Sequence, residues 1–164
     1  MNLMNLTDDL ILKDGIWFSK KTSEVSYPQD GNQLCFQIEE ESFWFKHRNE
    51  CILETVRNFS PDECFVDVGG GNGYLALWLE KNGILTLLVE PGVDGVFNAQ
   101  KRGLKNIVCS TLEDAKFHSG SLRSVGLFDV LEHEKNDLLF LSTVNDVLAK
   151  DGLLFLTVPS YPVL

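Results

Sequence analysis

A glycine-rich turn after an apolar strand is the part of the sequence best suited to binding a ligand. Residues 64–74 read CFVDVGGGNGY, so glycines stand at three alternate positions after Asp67, namely Gly69, Gly71 and Gly73. Glycine has no Cβ, and backbone N–H groups beside it can therefore approach a ligand closely. A strand, a turn of this kind and a helix together form a site for a nucleoside-bearing cofactor at the carboxyl edge of a parallel sheet.

The spacing of these glycines distinguishes between kinds of nucleotide site. A dinucleotide-binding turn has the pattern Gly-x-Gly-x-x-Gly, and its last position is occupied here by Tyr74. A P-loop continues with Lys and Ser or Thr after its last glycine, whereas Gly73 is followed by Tyr74. The observed pattern is Asp-x-Gly-x-Gly-x-Gly, which disfavours both sites. Taken alone, it also fits a tight turn between a strand and a helix that binds nothing.

An acidic residue at the end of the next apolar segment supports a binding role. Residues 84–89 form that segment, and Glu90 follows it, 23 residues after Asp67. A carboxylate at this place can accept hydrogen bonds from both hydroxyls of a ribose. The alternative is a solvated carboxylate at the end of a strand. With the glycine turn, Glu90 favours a ribose-bearing cofactor.

Strands and helices alternate from residue 64 onward, and these elements must position the turn and Glu90. The predicted strands are 64–68, 84–89, 106–110, 124–130 and 153–158. The predicted helices are 74–81, 93–102 and 136–150, each followed by a glycine at 83, 103 or 152 that is typical of a helix end. This alternation predicts an α/β fold with a doubly wound parallel sheet and helices on both faces.

The first 41 residues differ from the rest of the chain. Residues 15–18 and 33–38 are predicted as short strands around the turn-rich segment 19–32, so residues 1–41 are expected to form an N-terminal arm or hairpin. Ser42 is a suitable N-cap for a predicted helix over 43–58. Residues 42–164 are then the ligand-binding domain.

Composition excludes several classes of function. The net charge of −10 repels nucleic-acid phosphates, and we therefore expect no nucleic-acid partner. The four cysteines lack Cys-x-x-Cys spacing, which argues against a zinc ribbon. The first residues lack the basic and apolar regions typical of a signal peptide, and no apolar run reaches about 18 residues. We therefore expect a cytoplasmic protein that does not interact with a membrane.

Four segments resemble, in the same order, the motifs of class I S-adenosylmethionine-dependent methyltransferases. They are the glycine turn, residues 84–90, residues 108–114 (VCSTLED) and residues 127–133 (LFDVLEH). The aromatic-rich segment 43–49 (FWFKHRN) is similar to the helix before the cofactor domain in the small-molecule group that includes ubiquinone-type O-methyltransferases. The resemblance implies a Rossmann-like class I methyltransferase core, S-adenosyl-L-methionine as cofactor and a small-molecule acceptor.

The resemblance also implies roles for individual residues. Asp67 would orient the turn or reach the methionine ammonium, the turn glycines would lie against the methionine and ribose, and Glu90 would accept the ribose hydroxyls. Thr111 and Leu112 fall where the family holds adenine, with Glu113 or Asp114 substituting for the family's usual Asp at position 111. The complete predicted cofactor set is Arg48, Asp67, Gly69, Gly70, Gly71, Gly73, Glu90, Pro91, Thr111, Leu112, Glu113, Phe128 and Asp129.

Within this set, Arg48 would lie near the cofactor carboxylate, whereas Phe128 and Asp129 would line the channel for methyl transfer. His133 is the candidate catalytic base for an oxygen or nitrogen acceptor. A structural or positioning role is the alternative for His133. In a third interpretation, Asp129, Glu132 and His133 bind a divalent metal ion, although the primary prediction includes no metal.

Compared with this family, the sequence stops soon after the fifth predicted strand of the core. We therefore expect the last strands of the fold to be missing and the domain to be incomplete at its C-terminus. This leaves a cofactor-binding module without turnover as the alternative to an active methyltransferase. An unpaired strand over 153–158 would be a sheet edge that favours a homo-oligomer.

Overall fold

A computed structural model describes residues 3, 6–21, 31–59 and 64–160, with the side chains of 31–34 left undescribed. The strands are β1 (Leu10–Lys13), β2 (Ile16–Ser19), β3 (Phe65–Val68), β4 (Thr86–Glu90), β5 (Ile107–Cys109), β6 (Leu122–Phe128) and β7 (Leu148–Thr157). The helices are α1 (Gly31–Ile38), α2 (Phe43–Phe59), α3 (Tyr74–Lys81), α4 (Val93–Lys101), α5 (Leu112–Ala115) and α6 (Asp137–Val147), with a 3-10 turn at Leu131–His133.

The strands form one sheet in the order β1-β2-β5-β4-β3-β6-β7. Every neighbouring pair is parallel except β1 with β2, so the predicted doubly wound α/β fold is confirmed. From β3 the chain runs outward through β4 and β5, then returns to β6 on the other side of β3. Ligands of such sheets bind at the carboxyl edge where the strand order reverses.

The central strand β3 is buried on both faces, which explains its nearly continuous apolar sequence. Val66 and Val68 belong to a core cluster on the face that α5 and α6 cover. Phe65 points the other way and packs with Leu53 of α2 and Leu79 of α3. Because side chains alternate along a strand, Asp67 lies on the same face as Phe65, at the carboxyl end.

The N-terminal hairpin is continuous with the sheet and enlarges it beyond the five predicted strands. Strand β2 pairs in parallel with β5, with Trp17 opposite Val108, so the sheet has seven strands in the described part of the chain. The prediction of a strand over 33–38 is wrong, because these residues lie in helix α1. The helix brings the Phe36 carbonyl to the Arg102 guanidinium, a tertiary contact that overrides local strand propensity. Most of the predicted turn at 19–32 lies outside the described residues.

The junction between α6 and β7 also differs from prediction. Helix α6 ends at Val147 rather than at 150, and Gly152 lies inside β7 instead of after a helix. Leu148 pairs with Leu122 and Leu153 with Ser124, so β7 bulges between these two pairs. The bulge turns at Asp151, whose φ is 63°. None of the described helices is both long and apolar enough to cross a membrane.

Candidate functional site

A cavity of about 700 Å³ opens at the carboxyl edge of the sheet, within the size range of small-molecule sites. It is lined by the residues that follow β3, β4, β5 and β6 and by one face of α2. The predicted site residues on its wall are Arg48, Asp67, Gly69, Gly70, Gly71, Glu90, Pro91, Thr111, Leu112, Glu113, Phe128, Asp129 and His133. The fold therefore brings together the whole predicted set with one exception, Gly73.

Packing excludes a Cβ at Gly69, Gly70 and Gly73. At Gly69, where φ is 71°, a Cβ would lie 2.7 Å from a Val130 methyl group. A Cβ at Gly70 would overlap the Asp67 carboxylate and lie 2.6 Å from a methyl group of Leu88. Gly73 is the left-handed N-cap of α3, with φ 67°, and a Cβ there would lie 2.7 Å from the Ala99 Cβ. Gly73 therefore packs the turn against α4 and is not on the cavity wall, so its place beside the ligand stays a prediction.

The Glu90 carboxylate fastens the glycine turn to the start of α4. One oxygen accepts a hydrogen bond from Gly71 N at 2.9 Å, and the other accepts one from Gly92 N at 2.7 Å. Burial raises the pKa of Glu90, and these two N–H groups oppose the rise. Each carboxylate oxygen has a second acceptor position, so the same side chain can also accept hydroxyl groups from the cavity.

Asp67 is a buried carboxyl group on the cavity wall. It is 1% exposed, and its Oδ2 has no hydrogen-bond partner among the described residues. Burial raises the pKa of Asp67 to about 7; the Arg48 charge lowers it and the Glu90 charge raises it further. A buried carboxyl with a vacant acceptor favours a ligand group that carries positive charge or donates a hydrogen bond.

Arg48 joins α2 to the end of β6. Its Nη2 lies 2.6 Å from Asp129 Oδ2, and Thr157 donates a hydrogen bond to the other Asp129 oxygen at 3.2 Å. The guanidinium also lies 5.9 Å from the centre of the Phe128 ring. Asp129 has a positive φ of 61°, in the left-handed region that residues other than glycine seldom adopt. Arg48 thus borders the cavity while its charge is already matched by a protein carboxylate.

The residues after β5 form a short capped helix at the predicted adenine place. Thr111 is the N-cap of α5, and its Oγ1 accepts a hydrogen bond from Asp114 N at 3.1 Å. Leu112 packs in the core, although it also reaches the cavity wall. Glu113 lies exposed at the rim. Local capping thus engages the Thr111 oxygen, and Glu113 places a carboxylate at this end of the cavity, near that of Glu134.

His133 ends the 3-10 turn after β6 and lies exposed on the cavity wall. Its backbone N–H donates to the Val130 carbonyl at 3.0 Å, which fixes the turn. Asp129, Glu132 and His133 do not come together as a metal site: no group of three His, Cys, Asp or Glu side chains able to hold an ion occurs among the described residues.

Helix α1 contributes wall residues that the sequence did not indicate. Cys35 and Glu39 reach the cavity, and Glu39 Oε2 lies 2.6 Å from Arg102 Nη1. Arg102 also donates to the carbonyl of Asn72 in the glycine turn at 3.1 Å. The Arg102 side chain is 3% exposed and connects α1, the turn and α4. No local pattern predicts this connection, since its members are far apart in sequence.

Asn49 is a second wall residue that the prediction missed. It lies on α2, it is 1% exposed, and neither its Oδ1 nor its Nδ2 has a partner among the described residues. The sequence did contain a signal for it. Asn49 precedes Ile52, Leu53 and Val56 by three, four and seven residues, so it is a polar residue on the buried face of the helix.

The sequence model of a family described as methyltransferase domain matches residues 40–163. Comparison with curated protein sequences finds no significant match. Among solved structures, a protein of Methanococcus maripaludis assigned as an S-adenosyl-L-methionine-dependent methyltransferase aligns over 80% of this chain, with 15% identity and a TM-score of 0.66.

Two further solved structures have the same fold. A methyltransferase of Thermotoga maritima, suggested to be a histamine N-methyltransferase, aligns over 74% of this chain at 22% identity with a TM-score of 0.57. A methyltransferase of Bacteroides fragilis in complex with S-adenosyl-L-homocysteine aligns over 62% at 23% identity with a TM-score of 0.50. The present chain spans 65%, 58% and 44% of the lengths of the archaeal, Thermotoga and Bacteroides proteins, respectively.

Proposed function

Because the chain belongs to the methyltransferase domain family and has the class I fold, we propose that it transfers a methyl group from its cofactor, S-adenosyl-L-methionine, to a small-molecule acceptor. The observation that carries this proposal is the arrangement of Asp67, the glycine turn and Glu90 around one cavity. Glu90 has acceptor positions left for two ribose hydroxyls after binding Gly71 N and Gly92 N.

The rest of the cavity fits the cofactor chemically. Asp67 offers a vacant acceptor on a buried oxygen, suited to the ammonium group at the methionine end. Gly70 allows the Asp67 carboxylate to keep this place, since a Cβ at position 70 would overlap it. When bound, the cofactor supplies a methyl group activated on a sulfonium. The adenine would lie toward Thr111 and Glu113.

The protein itself positions the two reactants and excludes water from the cavity. Orientation of two reactants accounts for much of the rate of such a displacement, and the cavity walls fix that orientation. Phe128, Leu139 and Phe140 supply apolar wall on the side of the proposed acceptor. His133 would accept the proton that an oxygen or nitrogen acceptor loses, from its exposed place on the same wall.

A transfer assay tests the proposal. Protein, S-adenosyl-L-methionine with a tritiated methyl group and candidate phenols, carboxylates and amines are incubated, and label in the acceptor is counted. We expect transfer by the unmodified chain and by Gly83→Ala, since a Cβ at Gly83 meets nothing within 4 Å. Gly70→Ala should transfer at least about tenfold less, because its Cβ displaces the Asp67 carboxylate.

The assay also separates the alternative function. Binding of the labelled cofactor without transfer to any acceptor would favour a cofactor-binding module without turnover. Absence of binding would contradict both functions. Circular dichroism of each variant checks that a loss of transfer does not reflect unfolding.

We also propose that the chain self-associates through the sheet edge at β7. Strand β7 is the last in the sheet order among the described strands, and Leu154 and Leu156 of this strand and Val158 just after it are all more than a third exposed. An edge strand with exposed apolar side chains favours pairing with another chain. Light scattering should then give a mass above that of one chain, whereas a monomer at all concentrations would contradict the proposal.

A further inference from the structure

Asn49 stands out among the residues of the cavity because its amide is buried without a partner. Both polar atoms of its side chain lack hydrogen bonds among the described residues, and so does Asp67 Oδ2. Both residues are 1% exposed, and both line the same cavity. Buried polar side-chain atoms nearly always have a partner, so two such residues on one wall indicate a ligand that supplies it.

The position of Asn49 is determined by the packing of α2. Leu53 and Val56, one and two turns later on the same face, pack with Phe65 and Leu79 in a buried cluster. This packing directs the face of α2 that carries Asn49 toward the carboxyl end of β3, where Asp67 is located. The neighbouring Arg48 is close enough to Asp67 for its charge to affect that carboxyl group.

The Asn49 amide and the Asp67 carboxylate together are complementary to a ligand group that carries both a negative and a positive charge. An amide can donate and accept a hydrogen bond, whereas a carboxylate only accepts. We propose that Asn49 donates to the carboxylate of the amino-acid end of S-adenosyl-L-methionine while Asp67 accepts from its ammonium. This inference rests on the proposed function. Asn49 then takes the role expected for Arg48 from the sequence, as donor to the cofactor carboxylate. The Arg48 guanidinium is already paired with Asp129 at 2.6 Å.

The test compares two ligands that share a nucleoside and differ at the amino-acid end. S-adenosyl-L-homocysteine carries that end, and 5′-methylthioadenosine lacks it. In Asn49→Leu and Asn49→Ala, calorimetry should show at least about tenfold weaker binding of S-adenosyl-L-homocysteine, because a hydrogen bond to a charged group is lost. Binding of 5′-methylthioadenosine should change less than about twofold by the same energetic scale. Glu50→Ala, on the exposed face of α2, is the control and should leave both affinities unchanged.

Thermal unfolding distinguishes a ligand-binding role of Asn49 from a structural role. Leucine at position 49 removes an unpartnered amide, so the melting temperature should stay the same or rise. Asn98→Leu is the contrasting variant, because the Asn98 amide donates to Asn72 at 3.0 Å and its loss should lower the melting temperature.

Three results would overturn the inference, and they differ in what they imply. Equal weakening of both ligands in the Asn49 variants would mean that Asn49 only shapes the cavity. Unchanged binding of S-adenosyl-L-homocysteine would mean that Asn49 does not contact it. If the unmodified chain binds neither ligand, the proposed function fails together with the inference.

Discussion

Replacing Arg102 by methionine should destabilise the protein and loosen the wall of the cavity. Arg102 is 3% exposed; its guanidinium lies 2.6 Å from Glu39 and donates to the carbonyls of Asn72 and Phe36 at 3.1 and 3.2 Å. It also lies 4.3 Å from the centre of the Phe36 ring. Methionine keeps the apolar part of the side chain but provides no donor. The change therefore removes one partner of the buried ion pair with Glu39, the ion pair with Glu40 at 3.4 Å and two hydrogen bonds.

The size of the effect follows from the charge that is left behind. Removing one partner of a buried ion pair typically costs about 3–5 kcal/mol, because the other charge stays buried without compensation. Glu39 directly follows α1, and its side chain is 11% exposed. Its carboxylate can therefore become hydrated if α1 shifts outward. We therefore expect the lower end, a loss of about 3 kcal/mol in the free energy of unfolding.

Urea unfolding of Arg102→Met, Glu39→Gln and the double variant measures this loss and its origin. In the double variant, Glu39→Gln removes the charge that Arg102→Met leaves unpaired. The loss of stability in the double variant should therefore be smaller than the sum of the two single losses. Cys35 and Glu39 line the cavity, so Arg102→Met should also weaken cofactor binding. A loss below about 1 kcal/mol, or strictly additive losses, would refute the reasoning that Arg102 holds α1 through a buried ion pair.

Three further predictions concern the turn and the cavity. Alanine in the left-handed region costs about 1–2 kcal/mol, so Gly73→Ala and Gly83→Ala should both destabilise in urea. Only Gly73→Ala also crowds Ala99, and equal losses would contradict that contact. Burial raises the pKa of Asp67 from 3.8 to about 7, so the unfolded chain ionises first and stability should fall by roughly 4 kcal/mol as pH rises from about 4 to 7. Asp67→Asn should abolish this dependence of stability on pH. If stability falls equally with pH in Asp67→Asn and in the unmodified protein, Asp67 is not its cause. His133→Ala should abolish turnover with little change in cofactor affinity or melting temperature, since His133 is exposed; a lower melting temperature would favour a structural role.

The parallel core could be predicted because its signals are local. Apolar strands alternate with helices, and α3 has the predicted bounds Tyr74–Lys81. Helix α1 could not be identified in this way, because a short apolar segment fits a strand or a helix equally well. In the structure, this segment is a helix that contacts Arg102, a residue distant in sequence. The pairing of β2 with β5 is likewise a long-range contact, with Trp17 opposite Val108.

For the site, sequence spacing predicted which residues gather but not which way they face. Gly73 has the right spacing, yet its missing Cβ accommodates Ala99, a contact that the spacing does not predict. Thr111 lies on the cavity wall, but its hydroxyl oxygen caps α5. Asn49 was visible as a polar residue on an apolar helix face, whereas its lack of a partner depends on every element around it.

Calorimetric titration with S-adenosyl-L-methionine, S-adenosyl-L-homocysteine and NAD tests the central claim most directly, applied to the unmodified chain and to Glu90→Ala. We predict that the first two ligands bind and NAD does not. Glu90→Ala should bind both at least about tenfold more weakly, because it loses the ribose acceptors and releases Gly71 and Gly92. Binding of NAD in preference to S-adenosyl-L-methionine, or unchanged affinity in Glu90→Ala, would contradict the assignment of this cavity as the cofactor site.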